Sequence, residues 1–179
     1  MTKNKLISII VPIFNEEKNI PVLYEKLKDI LGSMNYEPEI IFVNDGSSDE
    51  SIKKLRKIED SDNQVKVIDF SRNFGKEIAT TAGINFCQGD ACIMIDADLQ
   101  HPVEKIKDFL FKWEEGVEIV IGVRKKNNGE GIVKKIGSFL FYKIINCISE
   151  TKIVPNATDF RLLDRVVIDE FNRLTEKNR

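Results

Sequence analysis

Two aspartates directly follow a short apolar segment of the chain. The segment Ala91 to Ile95 (ACIMI) predicts a buried strand, and Asp96 and Asp98 come just after it. Gln100 lies two residues further on, and alternate side chains of extended backbone point to the same face, so the three could converge. Carboxylate and amide oxygens suit Mg²⁺ or Mn²⁺ better than they suit zinc. The spacing therefore predicts a divalent-metal site, and the metal could hold a pyrophosphate group.

Polar residues also follow four other predicted strands. They are Pro12 to Glu16 (PIFNE), Asn44 to Asp49 (NDGSSD), Ser71 to Lys76 (SRNFGK) and Arg124. Each alone has an ordinary explanation as a turn, a helix cap or a solvated basic loop. The carboxyl ends of parallel strands meet at one edge of a sheet. Because all these segments fall at that predicted edge, together they favour a ligand site.

The single histidine of the sequence, His101, precedes Pro102 at the predicted start of a helix. An imidazole at this position could act as a general base near neutral pH. Helix capping or loop packing explains the residue equally well, so the sequence leaves its role open.

Strands alternate with helices over residues 1–123. Apolar runs predict strands at Leu6–Pro12, Glu39–Val43, Val65–Phe70, Ala91–Ile95 and Glu118–Val123. Helical periodicity predicts helices at about Glu16–Met34, Ser48–Ile58, Lys76–Phe86 and Pro102–Trp113. This alternation predicts an α/β fold of the Rossmann-like type, with a mostly parallel sheet and helices on both faces.

The pattern changes after Val123. We therefore divide the predicted single domain, 1–179, into a nucleotide-binding core (1–123) and a second segment (124–179). The second segment begins with a basic loop rich in glycine and asparagine, and we expect a strand at Thr158–Leu163 and a helix at Val166–Leu174. The chain stops shortly after this helix without a capping signal, so we expect it to be a fragment of a longer protein.

An apolar helix is predicted at Ile132–Ile148. Lys134, Lys135 and Lys143 interrupt its apolar surface. Such a helix could lie on a membrane surface with its lysines among lipid headgroups. It could equally be buried against the domain, because apolar residues occupy most of its circumference. The pattern leaves both interpretations open.

Composition excludes several classes of function. The 179 residues suffice for one domain with a sizeable core, and the net charge of −2 gives no general reason to expect nucleic-acid binding. The three cysteines have no metal-site spacing, so we expect reduced thiols in a cytosolic setting. Neither a signal peptide nor an apolar run long enough to span a bilayer is present in the sequence.

Five segments between Val11 and Arg165 together carry a family resemblance. They are VPIFNEEKNI, IIFVNDGSSDES, VIDFSRNFGKEIATTAGI, IMIDADLQHP and ATDFRLLDR. They resemble the inverting family 2 glycosyltransferases with the GT-A fold, most closely the branch that acts on polyprenyl phosphates. That branch includes bactoprenol glucosyltransferases and dolichyl-phosphate mannose synthases. The resemblance covers nearly the whole chain, and it implies that the domain is a glycosyltransferase catalytic domain.

The resemblance implies roles for residues at matching positions. A nucleotide-sugar site would include Pro12, Phe14, Glu16, Val43, Asp45, Ser71, Lys76, Asp96, Ala97, Asp98 and Arg124. Within it, Asp96, Asp98 and Gln100 would hold the Mg²⁺ or Mn²⁺ that bridges the diphosphate. Phe14 stands where many relatives have tyrosine, and Asn44 stands where an aspartate is common, which could alter recognition of the base or ribose.

The resemblance also implies an acceptor side. Asp159 would be a candidate base, Arg161 a second cation, and Arg124 would meet the diphosphate or the acceptor phosphate, so the implied catalytic set is Asp98, Arg124 and Asp159. A phosphate nucleophile is already anionic and has little need of a base, whereas a sugar hydroxyl needs one. The sequence does not decide between these acceptors.

We therefore expect a metal-dependent, inverting transferase that moves a sugar from a nucleotide-sugar donor. We expect this donor to be a UDP-sugar. The expected acceptor is a polyprenyl phosphate at the cytoplasmic face of the membrane. A longer protein would be anchored there by carboxyl-terminal transmembrane helices, while this chain would be soluble. Transfer to a sugar hydroxyl in polysaccharide or glycolipid synthesis and a non-catalytic nucleotide-sugar-binding module remain alternatives. The sequence leaves a homo-oligomer open.

Overall fold

The computed structural model describes residues 4–124 and 157–173. Its strands are β1 (Leu6–Ile13), β2 (Glu37–Asn44), β3 (Val65–Asp69), β4 (Ala91–Met94), β5 (Ile119–Val123) and β6 (Ala157–Asp164). Its α-helices are α1 (Asn19–Gly32), α2 (Ser51–Ser61), α3 (Lys76–Phe86), α4 (Ile106–Glu114) and α5 (Arg165–Arg173). The chain divides into two compact units, Met1–Val120 with Asp159–Arg179, and Ile121–Thr158. The site described below lies within the first unit.

The strands form one sheet in the order β3-β2-β1-β4-β6-β5. β1 is parallel to both β2 and β4, β2 is parallel to β3, and β6 runs antiparallel to β4. This arrangement confirms the predicted α/β fold with a mostly parallel sheet. Because its parallel strands run in one direction, the segments that follow β1, β2, β3 and β4 all leave the sheet at the same edge.

Helices cover the sheet on both faces, as predicted. On one face, Ile9 of β1 and Phe42 of β2 belong to a core cluster with apolar side chains of α1, α2 and α4. On the other face, Ile10 of β1 and Ile41 of β2 cluster with side chains of α3 and α5. Neighbouring residues of a strand point to opposite faces, so a central strand covered on both sides must be apolar throughout. The sequence of β1, LISIIVPI, meets this requirement except at Ser8, whose buried hydroxyl donates a hydrogen bond to Glu39.

The strands lie within two residues of their predicted bounds, but two helices begin later than predicted. α1 begins at Asn19 instead of Glu16, and α2 begins at Ser51 instead of Ser48. The residues before each helix form turns that hydrogen-bond to one another, and this use of their polar groups delays the helices. The predicted fourth helix is a 3₁₀ turn, Val103–Lys105, followed by α4.

Cys87 and Cys92 are buried and carry free thiols in the structure, and their cytosolic setting stays a prediction. The third cysteine and the predicted helix at 132–148 lie outside the described residues. Among the residues that are described, no helix has the length and apolar character needed to cross a membrane.

Candidate functional site

The turns after β1 and β2 are joined by hydrogen bonds. The backbone N–H of Asn15 donates to Ser47 Oγ at 2.9 Å, and Asn15 Oδ1 accepts from the N–H of Ser48 at 2.8 Å. Asn15 has φ of 55°, a left-handed conformation that asparagine tolerates better than most residues. The backbone N–H of Glu16 donates to Ser51 Oγ at 3.0 Å. These contacts fix the turn after β1 against the start of α2.

The turn after β3 is held by Asp45. This side chain is only 2% exposed, and its two carboxylate oxygens accept the backbone N–H groups of Phe74 at 2.7 Å and of Gly75 at 2.9 Å. A buried carboxylate needs such donors, since burial without them is costly. Asp45 was predicted to close round the base and ribose, and the structure adds the positioning of the SRNFGK turn to its role.

A cavity of about 280 Å³ opens between these turns, and we call it the smaller cavity. It is lined by Pro12, Ile13, Phe14, Glu16, Asp45, Asn73, Lys76, Asp96, Ala97 and Asp98. Eight of the eleven residues predicted for the nucleotide-sugar site are in this lining. The sequence analysis did not single out Ile13 and Asn73, although both lie in segments that it recognised as functional turns.

Three predicted site residues lie elsewhere. Val43 is fully buried in the core, so its side chain packs against neighbouring apolar residues and is not part of the cavity wall. Ser71 is exposed and is not in the lining of the smaller cavity. Arg124 belongs to the second unit, and its place in the site stays a prediction.

The two aspartates of the predicted metal site face the smaller cavity through a turn instead of through extended backbone. β4 ends at Met94, Leu99 has φ of 59°, and the backbone N–H of Gln100 donates to Asp98 Oδ1 at 3.0 Å. The alternation predicted for residues 96, 98 and 100 is therefore wrong. Asp96 and Asp98 still line one cavity, whereas Gln100 is not in its lining and its role as a third ligand stays a prediction.

The donor set of the smaller cavity fits a hard divalent cation. Asp96 and Asp98 supply carboxylate oxygens, and Mg²⁺ commonly takes one or two carboxylates and completes its shell with substrate phosphates and water. No group of three or more His, Cys, Asp or Glu side chains within the described residues is arranged to hold a metal by itself.

A lysine joins the metal-site carboxylate to the predicted acceptor side. Lys76 Nζ lies 2.6 Å from Asp96 Oδ1 and 2.6 Å from Asp159 Oδ2. Arg161 Nη2 lies 3.1 Å from Asp159 Oδ1. The β4–β6 register explains the meeting, because Met94 pairs with Arg161 and the same antiparallel register brings residue 159 opposite residue 96.

These ion pairs set the charges of the cluster. The hydrogen bond from Lys76 lowers the pKa of Asp159, burial opposes this effect, and Arg161 lowers the pKa further, with a net decrease. Burial lowers the pKa of Lys76, but the hydrogen bonds to Asp159 and Asp96 outweigh it and leave the pKa raised. Asp159 is therefore ionised and Lys76 protonated at neutral pH.

A second cavity, of about 790 Å³, lies on the other side of Lys76, and we call it the larger cavity. Its lining contains the charged residues Lys76, Glu77, Asp96, Asp159 and Arg161, the polar residues Thr80, Thr81, Asn85 and Asn172, and an apolar wall that includes Ile84, Met94, Leu163, Val167 and Phe171. The wall residues come from α3, β4, β6 and α5. Pro12, Lys76 and Asp96 line both cavities, so the two meet at the lysine.

His101 packs beside the site. Its ring centroid lies 5.5 Å from that of Phe160, and its Nε2 lies 3.7 Å from Asp96 Oδ2. Of the two interpretations left open by the sequence, the structure supports loop packing next to the metal-site carboxylate.

The model of glycosyl transferase family 2 matches residues 8–171. The chain belongs to this family. It is 46% identical over 178 residues to a glycosyltransferase of Bacillus subtilis named YkcC, covering 99% of this chain and 55% of that protein. It is 42% identical over 172 residues to the bactoprenol glucosyl transferase of Shigella phage SfV, covering 96% of this chain and 56% of the relative. The chain thus spans about half the length of the curated relatives it matches.

Solved glycosyltransferase structures share the fold. Mannosyl-3-phosphoglycerate synthase from Rubrobacter xylanophilus matches with a TM-score of 0.68 at 18% identity, over 91% of this chain and 54% of that one. A mannosyltransferase from Pyrobaculum calidifontis, in complex with GDP-Man and Mn²⁺, matches with a TM-score of 0.59 at 19% identity, over 94% of this chain and 47% of that one. These likenesses confirm the GT-A architecture.

Proposed function

We propose that this chain carries the catalytic centre of an inverting, metal-dependent glycosyltransferase that moves a sugar from a UDP-sugar to a polyprenyl phosphate at the cytoplasmic face of the membrane. The observation that carries the proposal is the arrangement around Lys76, which joins a carboxylate of the donor side, Asp96, to one of the acceptor side, Asp159. The two cavities that meet there give each substrate its own space.

The smaller cavity is proposed to take the nucleoside diphosphate. The ring of Phe14, which is 47% exposed, is available to pack against a base, and Glu16 lies in the same wall as a hydrogen-bond acceptor. Phenylalanine cannot donate the phenolic hydrogen bond of a tyrosine. We therefore expect recognition of the base to rest on ring contact and on neighbouring polar groups.

Asp96 and Asp98 would hold the Mg²⁺ or Mn²⁺ in this arrangement. When bound, the metal supplies positive charge that stabilises the departing diphosphate as the glycosidic bond breaks. The chain's own contribution is to place the two carboxylates just after β4, where both line one cavity. Arg124 is proposed as a further cation for the diphosphate or the acceptor phosphate.

The larger cavity is proposed to take the acceptor. Lys76 and Arg161 in its lining can contact an anionic headgroup, and its apolar wall can contact the hydrocarbon chain of the acceptor. The lowered pKa of Asp159 makes this carboxylate a weak proton acceptor, which fits a nucleophile that is already anionic. The relative from Shigella phage SfV, named for bactoprenol, supports the same choice of acceptor.

The proposed step is a single displacement. An oxygen of the acceptor phosphate forms a bond to the anomeric carbon, and the bond from that carbon to the diphosphate oxygen breaks with its electron pair. The products are a polyprenyl phosphosugar, with inverted configuration, and UDP. No proton has to be removed from an ionised phosphate, so Asp159 orients the acceptor and its cations in this reaction.

The deciding experiment measures sugar transfer by the complete protein. Radiolabelled UDP-glucose, UDP-GlcNAc and GDP-mannose are each offered with Mn²⁺ and with either undecaprenyl phosphate or free sugars as acceptors. We expect metal-dependent labelling of undecaprenyl phosphate from a UDP-sugar. Transfer to sugar hydroxyls alone would replace the proposed acceptor, and donor binding without any transfer would indicate a nucleotide-sugar-binding module.

A further inference from the structure

We propose that Lys76 couples the two substrates, so that binding of the metal and nucleotide in the smaller cavity creates the anion site of the larger cavity. This inference rests on the proposed function, because it assigns the donor to one cavity and the phosphate acceptor to the other. The ammonium group of Lys76 is the counter-ion of Asp96 in the structure. Metal binding at Asp96 releases the ammonium group to the acceptor phosphate.

The position of Lys76 supports this role. The residue begins α3 directly after Gly75, whose φ is 100° and whose N–H is held by Asp45. The backbone of Lys76 is thus anchored to the donor-side turns, while its side chain is 42% exposed and lines both cavities. A four-carbon stem with a fixed base allows the ammonium group to move between nearby anions.

Competition for Asp96 follows from charge. The ammonium group of Lys76 lies 2.6 Å from Asp96 Oδ1. A metal ion bound to the same oxygen would therefore be repelled by the ammonium group. A divalent cation attracts the carboxylate more strongly than a single positive charge does and repels Lys76 at the same time. Asp159, at 2.6 Å from Nζ, keeps the displaced ammonium group on the acceptor side.

The acceptor phosphate benefits from this exchange. Among the described residues, three carboxylates line the larger cavity, on Glu77, Asp96 and Asp159, together with the two cations Lys76 and Arg161. A phosphate that enters the larger cavity before the metal binds therefore meets a net negative charge on these five side chains. Neutralisation of Asp96 by a metal leaves two carboxylates against two cations and makes Lys76 available, so the acceptor binds better after the donor. By linkage, the acceptor strengthens donor binding by the same factor.

The first test measures Mn²⁺ binding to the complete protein without nucleotide. Lys76→Met removes the competing ammonium group, so we expect Mn²⁺ affinity to rise by about tenfold, the effect of one strong charge interaction. Lys76→Arg retains a cation and should keep the native affinity. Lys105→Met removes an exposed lysine paired with Asp108 and serves as the matched control with no change. Unchanged or weaker Mn²⁺ binding in Lys76→Met would overturn the proposal.

The second test measures binding of undecaprenyl phosphate in detergent micelles, with and without UDP and Mn²⁺, so that no transfer occurs. For the native protein we expect UDP with Mn²⁺ to tighten acceptor binding by roughly fivefold or more. Lys76→Met should lose this gain and Lys76→Arg should restore it. Equal acceptor affinity in the two conditions overturns the coupling, and this native measurement decides the matter even if Lys76→Met does not fold.

The role of Lys76 and the proposed function can each be contradicted without the other. A native protein that transfers sugar to undecaprenyl phosphate but shows no coupling retains the proposed function and loses the role of Lys76. A native protein that binds neither UDP with Mn²⁺ nor the lipid phosphate loses the proposed function itself.

Discussion

The backbone of Gly46 lies directly against the backbone of Arg72. Gly46 has φ of 64°, and a Cβ atom placed on it would overlap the carbonyl carbon of Arg72. This contact joins the turn after β2 to the turn after β3, and Asp45 reinforces it through the N–H groups of Phe74 and Gly75. The two turns beside the smaller cavity can therefore approach each other only because residue 46 has no side chain.

Gly46→Ala should destabilise the protein and loosen the donor site. The left-handed conformation costs about 1–2 kcal/mol for a residue with Cβ, and the overlap with Arg72 adds a further cost of similar size. We expect a fall of about 2–4 kcal/mol in the free energy of unfolding, measured by urea denaturation, and weaker UDP binding. Gly32→Ala is the control, since a Cβ there meets nothing within 4 Å. Equal stability of the two variants would contradict this account.

A buried carboxylate at the opposite end of the strands gives a prediction on pH. Glu39 is 4% exposed, and it accepts hydrogen bonds from Ser8 Oγ at 2.5 Å, from Lys66 Nζ at 2.7 Å and from the N–H of Gln88 at 2.9 Å. Burial raises the pKa of Glu39, but these donors outweigh it and leave the pKa below its usual value. The ionised form therefore stabilises the fold above the unfolded pKa of about 4.3.

Glu39→Gln should cost about 1–3 kcal/mol of unfolding free energy at pH 7. The difference from the native protein should shrink as the pH falls below about 4, since the native carboxylate then becomes protonated and loses its advantage. Urea denaturation at several pH values measures the difference. Glu115→Gln removes an exposed partner of Lys112 and should show little effect at any pH. A pH-independent loss in Glu39→Gln would show that the charge is not responsible.

The strands were predictable because apolar runs are local signals. β1 contains the apolar run Ile9 to Val11 and β2 the run Ile40 to Val43, as a strand covered on both faces requires. The polar turns were predictable as a group for a related reason, since parallel strands direct them to one edge. Their identification as a donor site also needed the family resemblance.

Contacts between distant segments were not predictable in the same way. The pairing of Lys76 with Asp159 joins residues 83 positions apart and depends on the antiparallel register of β6, which no local pattern encodes. The turn at Leu99 was missed because leucine rarely adopts a positive φ. Val43 was assigned to the site from the family resemblance, yet its strand directs the side chain into the core.

Asn44 gives a prediction from its place beside Asp69. Asn44 is 2% exposed, and its Nδ2 donates to Asp69 Oδ1 at 2.8 Å. Asn44→Asp would introduce the residue common in the resembled family and place two carboxylates at hydrogen-bonding distance. One of them would have to keep a proton, so the variant should lose stability as the pH rises from about 4 to 7.

Thermal unfolding across this pH range measures the loss in Asn44→Asp. The double variant Asn44→Asp with Asp69→Asn restores one amide donor and one carboxylate acceptor, and it should recover much of the stability at pH 7. If the double variant is no more stable than Asn44→Asp, the hydrogen bond between positions 44 and 69 is not the cause.

Asp98 is predicted to matter for the metal and little for the fold. Its side chain faces the smaller cavity, and its one described hydrogen bond is to the N–H of Gln100 in the same turn. Asp98→Ala should abolish the dependence of UDP binding on Mn²⁺, measured by calorimetry with and without the metal. Asp108→Ala removes an exposed carboxylate paired with Lys105 and provides the control. Retention of the full metal dependence in Asp98→Ala would remove this residue from the metal site.

Asp159 distinguishes the acceptor side from the donor side. Asp159→Asn removes the charge that holds Lys76 and Arg161, while Asp96 and Asp98 stay in place. If the acceptor is a phosphate, turnover should fall by about tenfold, because orientation is lost but no general base is removed. If the acceptor is a hydroxyl, loss of a general base should cost roughly 10²–10⁴-fold. Affinity for UDP with Mn²⁺ should change much less than turnover in either case, because Asp159 acts on the donor side only through Lys76.

The measurement for Asp159→Asn is a comparison of kcat and KM with each acceptor, alongside the dissociation constant for UDP with Mn²⁺. Arg161→Gln is the paired variant, because it removes the second cation on Asp159 and should raise KM for the lipid phosphate with little effect on UDP binding. Loss of donor affinity and turnover to the same extent in Asp159→Asn would place this carboxylate in the donor site, since an effect transmitted only through Lys76 should be smaller on donor binding than on turnover.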